Sequence, residues 1–193
     1  MFSGIVEEVG RVEKIEHKKN LLILHIRAKK VLKGNHVGDS VAVNGVCLTI
    51  AKFKKNTMVF ELMKETVSHT TLKDCQVGSP LNLERPLKWG GRIGGHFVLG
   101  HVDGTGTIRK RIKEKNYVAL YIEIPKKLSR FLIDKGSVAI DGISLTVGKI
   151  KGNIFTVHLI PHTLKSTTLK YRKESDQANI ETDFLAKYLF KNR

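Results

Sequence analysis

Cysteine is scarce in this chain of 193 residues: there are two, Cys47 and Cys75, with no CxxC pair and no histidine at zinc-ligand spacing. That excludes a disulfide framework, argues against a structural metal and points to a reducing compartment. Long hydrophobic runs are missing too, and nothing approaches the roughly 18 uninterrupted apolar residues of a membrane helix. The opening MFSGIVEEVG carries Glu7 and Glu8 and no basic stretch, so neither a secretory nor a mitochondrial leader is expected. Aromatics are 7% of the chain, too few to build stacking platforms for single-stranded nucleic acid. Acidic residues are outnumbered 18 to 34 by Lys and Arg, a formal charge of +16. The two halves share that excess almost equally, and no basic arm stands apart. The densest cluster, Arg109 to Lys113, is expected in a loop, and the charge reads as a solvated surface rather than a nucleic-acid site. What is present, 41% apolar and 27% charged residues, suits a globular chain with a sizeable core.

The strongest positive signal is internal. Ser40-Val41-Ala42-Val43-Asn44-Gly45-Val46-Cys47-Leu48-Thr49 returns 97 positions later as Ser137-Val138-Ala139-Ile140-Asp141-Gly142-Ile143-Ser144-Leu145-Thr146. The same offset carries Thr66 onto Thr163, Thr70-Thr71-Leu72 onto Thr167-Thr168-Leu169, and Asn82-Leu83-Glu84 onto Asn179-Ile180-Glu181. Near the start the offset is 96, and Gly4-Ile5-Val6 falls on Gly100-His101-Val102. A period this long means duplicated domains rather than a solenoid. Each unit reads as short β-strands: Leu21–Ile26, Ser40–Val43 and Thr57–Leu62 in the first, Val118–Ile124 and Ile154–Leu159 in the second. Turn pairs such as Asn44-Gly45, Asp141-Gly142 and Gly152-Asn153 separate them. Many short strands in so few residues predict a small closed barrel, which removes exposed edges. Short helices are expected after Lys29 and Lys126. A terminal one begins at Asp183 as cap, with Phe184, Leu185, Tyr188 and Leu189 as its apolar stripe.

The halves diverge at polar positions. Cys47 aligns with Ser144 and Ile5 with His101, which predicts one composite site using unlike halves, or neutral drift within a core. His96 and His101 lie five apart in a glycine-rich stretch, so on a regular strand they face opposite ways, which disfavours a shared metal. Either is a candidate base, since imidazole ionises near neutrality. The surrounding glycines lack the GK[ST] of a phosphate loop and the third glycine of a dinucleotide fingerprint, and read as turns. Met63-Lys64-Glu65-Thr66 and Ile160-Pro161-His162-Thr163 follow strands in both units; their backbone and hydroxyl groups suit the edge of a polar heterocycle, or the capping of a turn. No Ser-His-Asp order or paired-carboxylate pattern stands out.

These motifs in order resemble the riboflavin synthase family, of the α-chain type with two lumazine-binding repeats. The resemblance spans nearly the whole chain: MFSGIVE (1–7), SVAVNGVCLT (40–49), MKET (63–66), NLER (82–85), GGHFVLGHVDGTG (94–106), KGSVAIDGISLTVG (135–148), IPHTL (160–164) and NIETDFLAKYL (179–189). It implies an all-β fold of two tandem six-stranded antiparallel Greek-key barrels, residues 1–96 and 97–193, with a C-terminal helix at about 183–193. It implies a cytoplasmic homotrimer, a complex with lumazine synthase being an open option, and neither metal nor redox cofactor. The reaction implied is dismutation of two molecules of 6,7-dimethyl-8-ribityllumazine into riboflavin and 5-amino-6-(D-ribitylamino)uracil, at a site between the N-barrel of one subunit and the C-barrel of another. A non-catalytic lumazine- or flavin-binding paralogue is the alternative.

By the same resemblance the groups that bind the ring in the first barrel are Gly4, Ile5, Val6, Cys47, Leu48, Thr49, Glu61, Leu62, Met63, Lys64, Glu65 and Thr66. In the second they are Gly100, His101, Val102, Lys135, Ser144, Leu145, Thr146, Ile160, Pro161, His162, Thr163, Leu164 and Lys165. Ser40, Cys47, His101 and Thr146 are the implied catalytic groups, with Phe2 and Asp183 at the barrel ends. The sequence departs from the family's pattern in Ser3, where Thr is common, in Leu99, where a small polar residue is usual, in Lys173-Glu174-Ser175-Asp176, which replaces a glycine turn, and in a short tail.

Overall fold

A computed structural model describes residues 1–191. In the first half, strands β1 (Glu8–His17), β2 (Leu21–Arg27), β3 (Ser40–Val43), β4 (Val46–Lys54), β5 (Thr57–Met63) and β6 (Pro80–Glu84) close an antiparallel barrel in the order β1-β2-β5-β4-β3-β6. Alternation along the strands sets its inside: in β4, Val46, Leu48 and Ile50 are buried while Cys47, Thr49 and Ala51 face outward. The core gathers Leu24, Ile26, Ile50, Met58, Phe60 and Leu62, with Leu72 closing one end. Asn44 and Gly45 form the two-residue turn from β3 to β4, both at positive φ (45° and 79°), as the twist of a hairpin demands. α1 (Lys64–Ser68) follows β5 directly.

The second half repeats this path with one break. Its strands are β7 (Gly104–Lys113), β8 (Val118–Glu123), β9 (Ser137–Ile140), β10 (Ile143–Thr146), β11 (Ile150–Lys151), β12 (Ile154–Leu159) and β13 (Gln177–Thr182), in the order β10-β9-β13-β7-β8-β12-β11. β10 and β11 are two pieces of what is one strand, β4, in the first half. The register shift between Ile50 and Lys52 becomes a break between Thr146 and Ile150. Gly148 stands there, and a Cβ on it would meet Thr156 Oγ1 at 2.5 Å, so the chain presses onto β12 where a side chain would hold it off. The second sheet therefore curls around its own core, Ile108, Leu120, Ile140, Phe155, Val157 and Ile180 among others, as a half-barrel; the expected second closed six-stranded barrel is corrected to this.

Three further expectations change. The basic cluster Arg109 to Lys113 is in β7, not a loop; Ile108 points into the core and the charges ride the outer face of a long bulged strand. Residues after Lys29 form turns, held by Glu8, whose carboxylate accepts from the amides of Lys29 and Lys30, and no helix forms there. His96 and His101 lie on irregular chain outside any strand, so the opposite-face argument does not apply to them. The helix expected after Lys126 is present as α2 (Lys126–Ser129), and α3 (Pro161–Ser166) repeats α1. α4 (Phe184–Lys191) is the terminal helix; Asp183 Oδ1 accepts from Leu185 N at 3.0 Å and caps it. The end of its expected span, Asn192 and Arg193, lies outside the described residues. Ala186 faces the protein, while Leu185, Tyr188 and Leu189 are exposed.

The halves are locked by matched polar bonds about a pseudo-twofold axis. Asn82 Nδ2 donates to Asp141 O (2.9 Å) and Asn179 Nδ2 to Asn44 O (2.8 Å). The oxygens of the same two amides accept from Thr168 N and Thr71 N, each at 2.8 Å. Gly45 and Gly142 touch across the axis, where a Cβ on either would lie 2.6 Å from the other's nitrogen.

Candidate functional site

Each half lends the other a segment. Phe2 and Val98 form a short antiparallel bridge, Phe2 N donating to Val98 O (2.7 Å) and Val98 N to Phe2 O (3.0 Å). From this crossing the two segments run apart, each onto the opposite half. Gly4 O accepts from Ser144 N at 2.8 Å, and Gly100 O accepts from Cys47 N at 2.9 Å. Val6 packs on the core of the second half and Val102 on that of the first. The approach needs glycine: Gly4 and Gly100 have φ of +75° and +79°, and a Cβ on them would sit 2.6 Å from Ser144 Cβ and 2.7 Å from Cys47 Cβ.

The crossing corrects the sorting of site residues by half. Gly4, Ile5 and Val6 lie beside Ser144 of the second half; Gly100, His101 and Val102 lie beside Cys47 of the first. Sequence order ties a segment to the half it precedes, whereas packing gives it to the half whose strand donates an N–H to its carbonyl. The first-half wall thus contains Cys47, Leu48 and Thr49 on β4, Ser40 directly opposite Thr49 on β3, and the incoming Gly100-His101-Val102. Glu61 to Met63 end β5, and Lys64, Glu65 and Thr66 open α1. Leu62 is buried in the core, while Met63, Lys64 and Glu65 are exposed.

The second-half wall pairs Ser144, Leu145 and Thr146 on β10 with Gly4-Ile5-Val6. Lys135, at φ 62°, donates its amide to Val147 O. Ile160 leads into α3, which carries Pro161, His162, Thr163, Leu164 and Lys165; Ile160, Pro161, His162 and Lys165 are exposed, and Leu164 leans on the core. Ile5 and His101, aligned in the repeat, are both exposed, one apolar and one titratable. Phe2 is fully buried among Ala42, Val98 and Ala139, so its part here is to pin the crossing. Asp183 is spent on the cap of α4.

Sequence reasoning singled out His96 without its partner. Its Nδ1 lies 2.7 Å from Ser144 Oγ, and its buried Nε2 has no partner among the described residues. Burial holds the imidazole below its usual pKa, opposed by the charge of Asp183, and so favours its neutral form beside that hydroxyl. Gly95 makes the contact: a Cβ there would lie 2.5 Å from Ser144 Cβ and 2.3 Å from Ser3 O. The signal available was the run of two glycines before His96, which marks a close backbone approach. Among the described residues, no group of three or more His, Cys, Asp or Glu side chains is placed to hold a metal ion. Among the described residues, no helix is long and apolar enough to cross a membrane.

Comparison with known proteins also finds a repeat. The family model described as lumazine binding domain matches residues 3–86 and again 99–183. The chain is 44% identical over 189 residues to the riboflavin synthase of Actinobacillus pleuropneumoniae, covering 98% of this chain and 88% of that one. It is 42% identical over 192 residues to that of Bacillus subtilis (strain 168), covering 99% and 89%. Among solved structures, LumP complexed with riboflavin superposes with a TM-score of 0.89 at 26% identity, covering 95% of this chain and all of that one. LumP complexed with 6,7-dimethyl-8-(1'-D-ribityl) lumazine gives 0.86 at 25% identity, covering 95% and 99%.

Proposed function

This chain belongs to the riboflavin synthase family, and from that premise we propose that each of its two walls takes one lumazine and that the exchanged segments make the two sites unlike. The chain is an enzyme that forms riboflavin by dismutation of two molecules of 6,7-dimethyl-8-ribityllumazine, releasing 5-amino-6-(D-ribitylamino)uracil. One molecule gives up a four-carbon unit and the other receives it, so identical sites would be a poor arrangement. The observation that supports the assignment of roles is the crossing: Gly100-His101 runs against Cys47, on the strand pair that also carries Ser40, and Gly4-Ile5 runs against Ser144, on the strand that also carries Thr146.

The difficult step is at a carbon acid. The C7 methyl group of the substrate loses a proton, and the charge spreads over the fused ring. Donors aimed at the ring stabilise that anion more than the neutral ground state. The exposed His101 has the chemistry to take or return the proton, with Cys47 and Ser40 as hydrogen-bonding groups on the same wall and Thr146 on the other. His96 holds the Ser144 hydroxyl in one orientation toward the second site. The starts of α1 and α3 supply backbone and hydroxyl partners for the polar edge of each ring. No metal or redox cofactor enters this scheme.

Each wall opens outward from its own half, and the two rings must meet face to face for proximity to act. The proposal therefore puts the first unit (1–96) of one subunit against the second unit (97–193) of another, in a cytoplasmic homotrimer. The exposed stripe Leu185, Tyr188 and Leu189 of α4 supports such contact, since burial of each is worth roughly 1.5–3 kcal/mol. Association with lumazine synthase is left to pull-down. The deciding assay is incubation of the purified chain with the lumazine: riboflavin appears if the reading holds. Ligand fluorescence without turnover would return the chain to a binding-only role of the LumP kind. Sedimentation of a chain ending before Asp183 is expected to give folded monomers with most activity lost; an intact trimer would remove α4 from the interface.

A further inference from the structure

Two buried carboxylates grip the exchanged segments, and they do so unequally. Glu84 accepts from Ser3 N (2.7 Å), Ser3 Oγ (2.8 Å) and Gly4 N (3.1 Å). Glu181, its counterpart in the repeat, accepts from Leu99 N (2.7 Å) and Gly100 N (2.9 Å), one on each oxygen. The paired amide bonds match, but Leu99 stands where Ser3 stands, so the hydroxyl donor is missing, and the Ile5 amide that also faces Glu84 has no counterpart at Glu181. Glu181 is 3% exposed. The charges that face it are Lys187 of α4 and Asp103, and these are bonded to each other at 2.6 Å. Asp103 accepts also from Thr182 N and Oγ1, and Cys47 of β4 lies across Gly100. The adjoining strand β9 brings only Val138, Ala139 and Ile140 alongside.

We propose that Glu181 is the positioning residue of His101, and that Leu99 sets the acidity at which its hold slackens. Both oxygens must be acceptors to keep both amides. A protonated carboxyl leaves one oxygen as a hydroxyl, a poorer acceptor that also carries a donor, and one of the two bonds is weakened. His101 follows Gly100 directly, so freedom at that amide is freedom of the imidazole. Burial pushes Glu181 up to about 7 against the pull of the two amides and Lys187. Glu84 is raised too, by the same burial, but Ser3 Oγ and the amides of Ser3, Gly4 and Ile5 oppose it.

Rate and stability then respond to pH with opposite signs. The folded chain holds the Glu181 proton more tightly than the unfolded chain does. The group's contribution to stability is therefore full at acid pH and is lost as pH rises from 4.5 through about 7. Its grip on His101 is the reverse, complete above about 7 and slackening below. A carboxylate that only packed would not produce a rate that falls while its stability contribution grows.

This inference rests on the reading of His101 given above. The test is Leu99→Ser in the full chain, which restores the third donor in the Ser3 geometry. Carboxyl 13C NMR follows Glu181, amide shifts follow Leu99 and Gly100, and steady-state turnover is measured across neutral pH. In the native chain the two amides are expected to move with a carboxyl midpoint of about 7. In Leu99→Ser the midpoint and the acid limb of turnover are expected to move down together by about one pH unit. Glu181→Gln, with one acceptor oxygen, should stay at the acid-side plateau of turnover at every pH. A carboxyl midpoint that moves while the turnover limb stays, or normal turnover in Glu181→Gln, overturns the inference. Normal turnover in His101→Leu instead overturns the reading beneath it, and the amide titration still reports whether Glu181 holds the segment.

Discussion

At the turn between its third and fourth strands the first half of the molecule is neutral where the second is ionic. Asn44 Oδ1 accepts from Asn82 N at 2.7 Å, and Asp141 Oδ1 accepts from Asn179 N at 2.8 Å, one backbone bond made twice. Cys75 lines the same cavity as Asn44, and burial pushes its thiol up to about 11 and so keeps it neutral. Behind Asp141 stands Arg172, at Cys75's place in the repeat, donating Nε (3.0 Å) and Nη2 (2.7 Å) to the fully buried carboxylate. The lesson is that the fold requires an acceptor at this turn and is indifferent to its charge, provided the residue behind it changes in step. The same logic separates Cys47 with His101 from Ser144 with His96 and Ile5. A duplicated scaffold lets polar partners be exchanged in pairs without altering the backbone that carries them.

The comparison breaks most visibly at His101. His101→Leu gives the first-half site an apolar side chain of the kind Ile5 gives the other. We expect a folded enzyme with turnover down by about 10²–10⁴. Lumazine binding should fall far less, as read by kcat and ligand fluorescence together with melting temperature. Near-normal turnover with a lowered melting temperature would leave Cys47 and Ser40 as the better candidates. Next in size is Asp141→Asn, which leaves the largely buried Arg172 charge without its carboxylate. The expected cost is about 3 kcal/mol, the low end for a broken buried pair because Arg172 keeps some solvent. Adding Arg172→Cys recreates the first-half pair and should recover most of the loss in urea unfolding. Additive losses would show that the two positions are not coupled.

Smaller again is His96→Leu. The imidazole has an unpartnered buried nitrogen, so its removal should change stability by less than about 1 kcal/mol. The freed Ser144 hydroxyl should lower kcat by roughly tenfold, the worth of about one hydrogen bond. A fall in melting temperature with kcat intact would make His96 a structural histidine instead. The smallest expected effect needs no substitution. Titration of the chain with a non-reacting lumazine analogue should give two affinities about tenfold apart, because the walls differ by a few hydrogen bonds. Two indistinguishable sites would mean that the divergence of the halves bears on reaction rather than binding.

Much of this arrangement is legible in the residues. The repeat, the hairpin turns at Asn44-Gly45 and Asp141-Gly142, the first closed barrel and the Asp183 cap follow from spacing and turn chemistry. The crossing of 2–6 and 98–102 does not. Alignment matches Ile5 with His101 but is silent on which half each packs against; that is decided by Gly4 and Gly100 fitting the backbone of Ser144 and Cys47. The basic run in β7 misleads because a barrel's outer face accepts consecutive charges at a bulge, where strict alternation lapses. Leu99 is visible as a departure, yet its meaning needs Glu181, which is 82 positions away in sequence and bonded to its amide.

The break at Gly148 has a consequence for how the molecule breathes. A closed ring of strands must lose ladder bonds on both sides of a strand before any amide meets solvent, so its exchange is cooperative and slow. β11 is two residues long and pairs with β12 on one side, while β10 pairs with β9 at the other end of the same sheet. That seam can part without disturbing its neighbours. Hydrogen–deuterium exchange should therefore run fastest, among strand residues, at Ile150 and Lys151, and should leave the aligned stretch of β4 protected. The seam adjoins Thr146, so the second site sits beside the most easily opened strand of the enzyme and the first site beside one of the least.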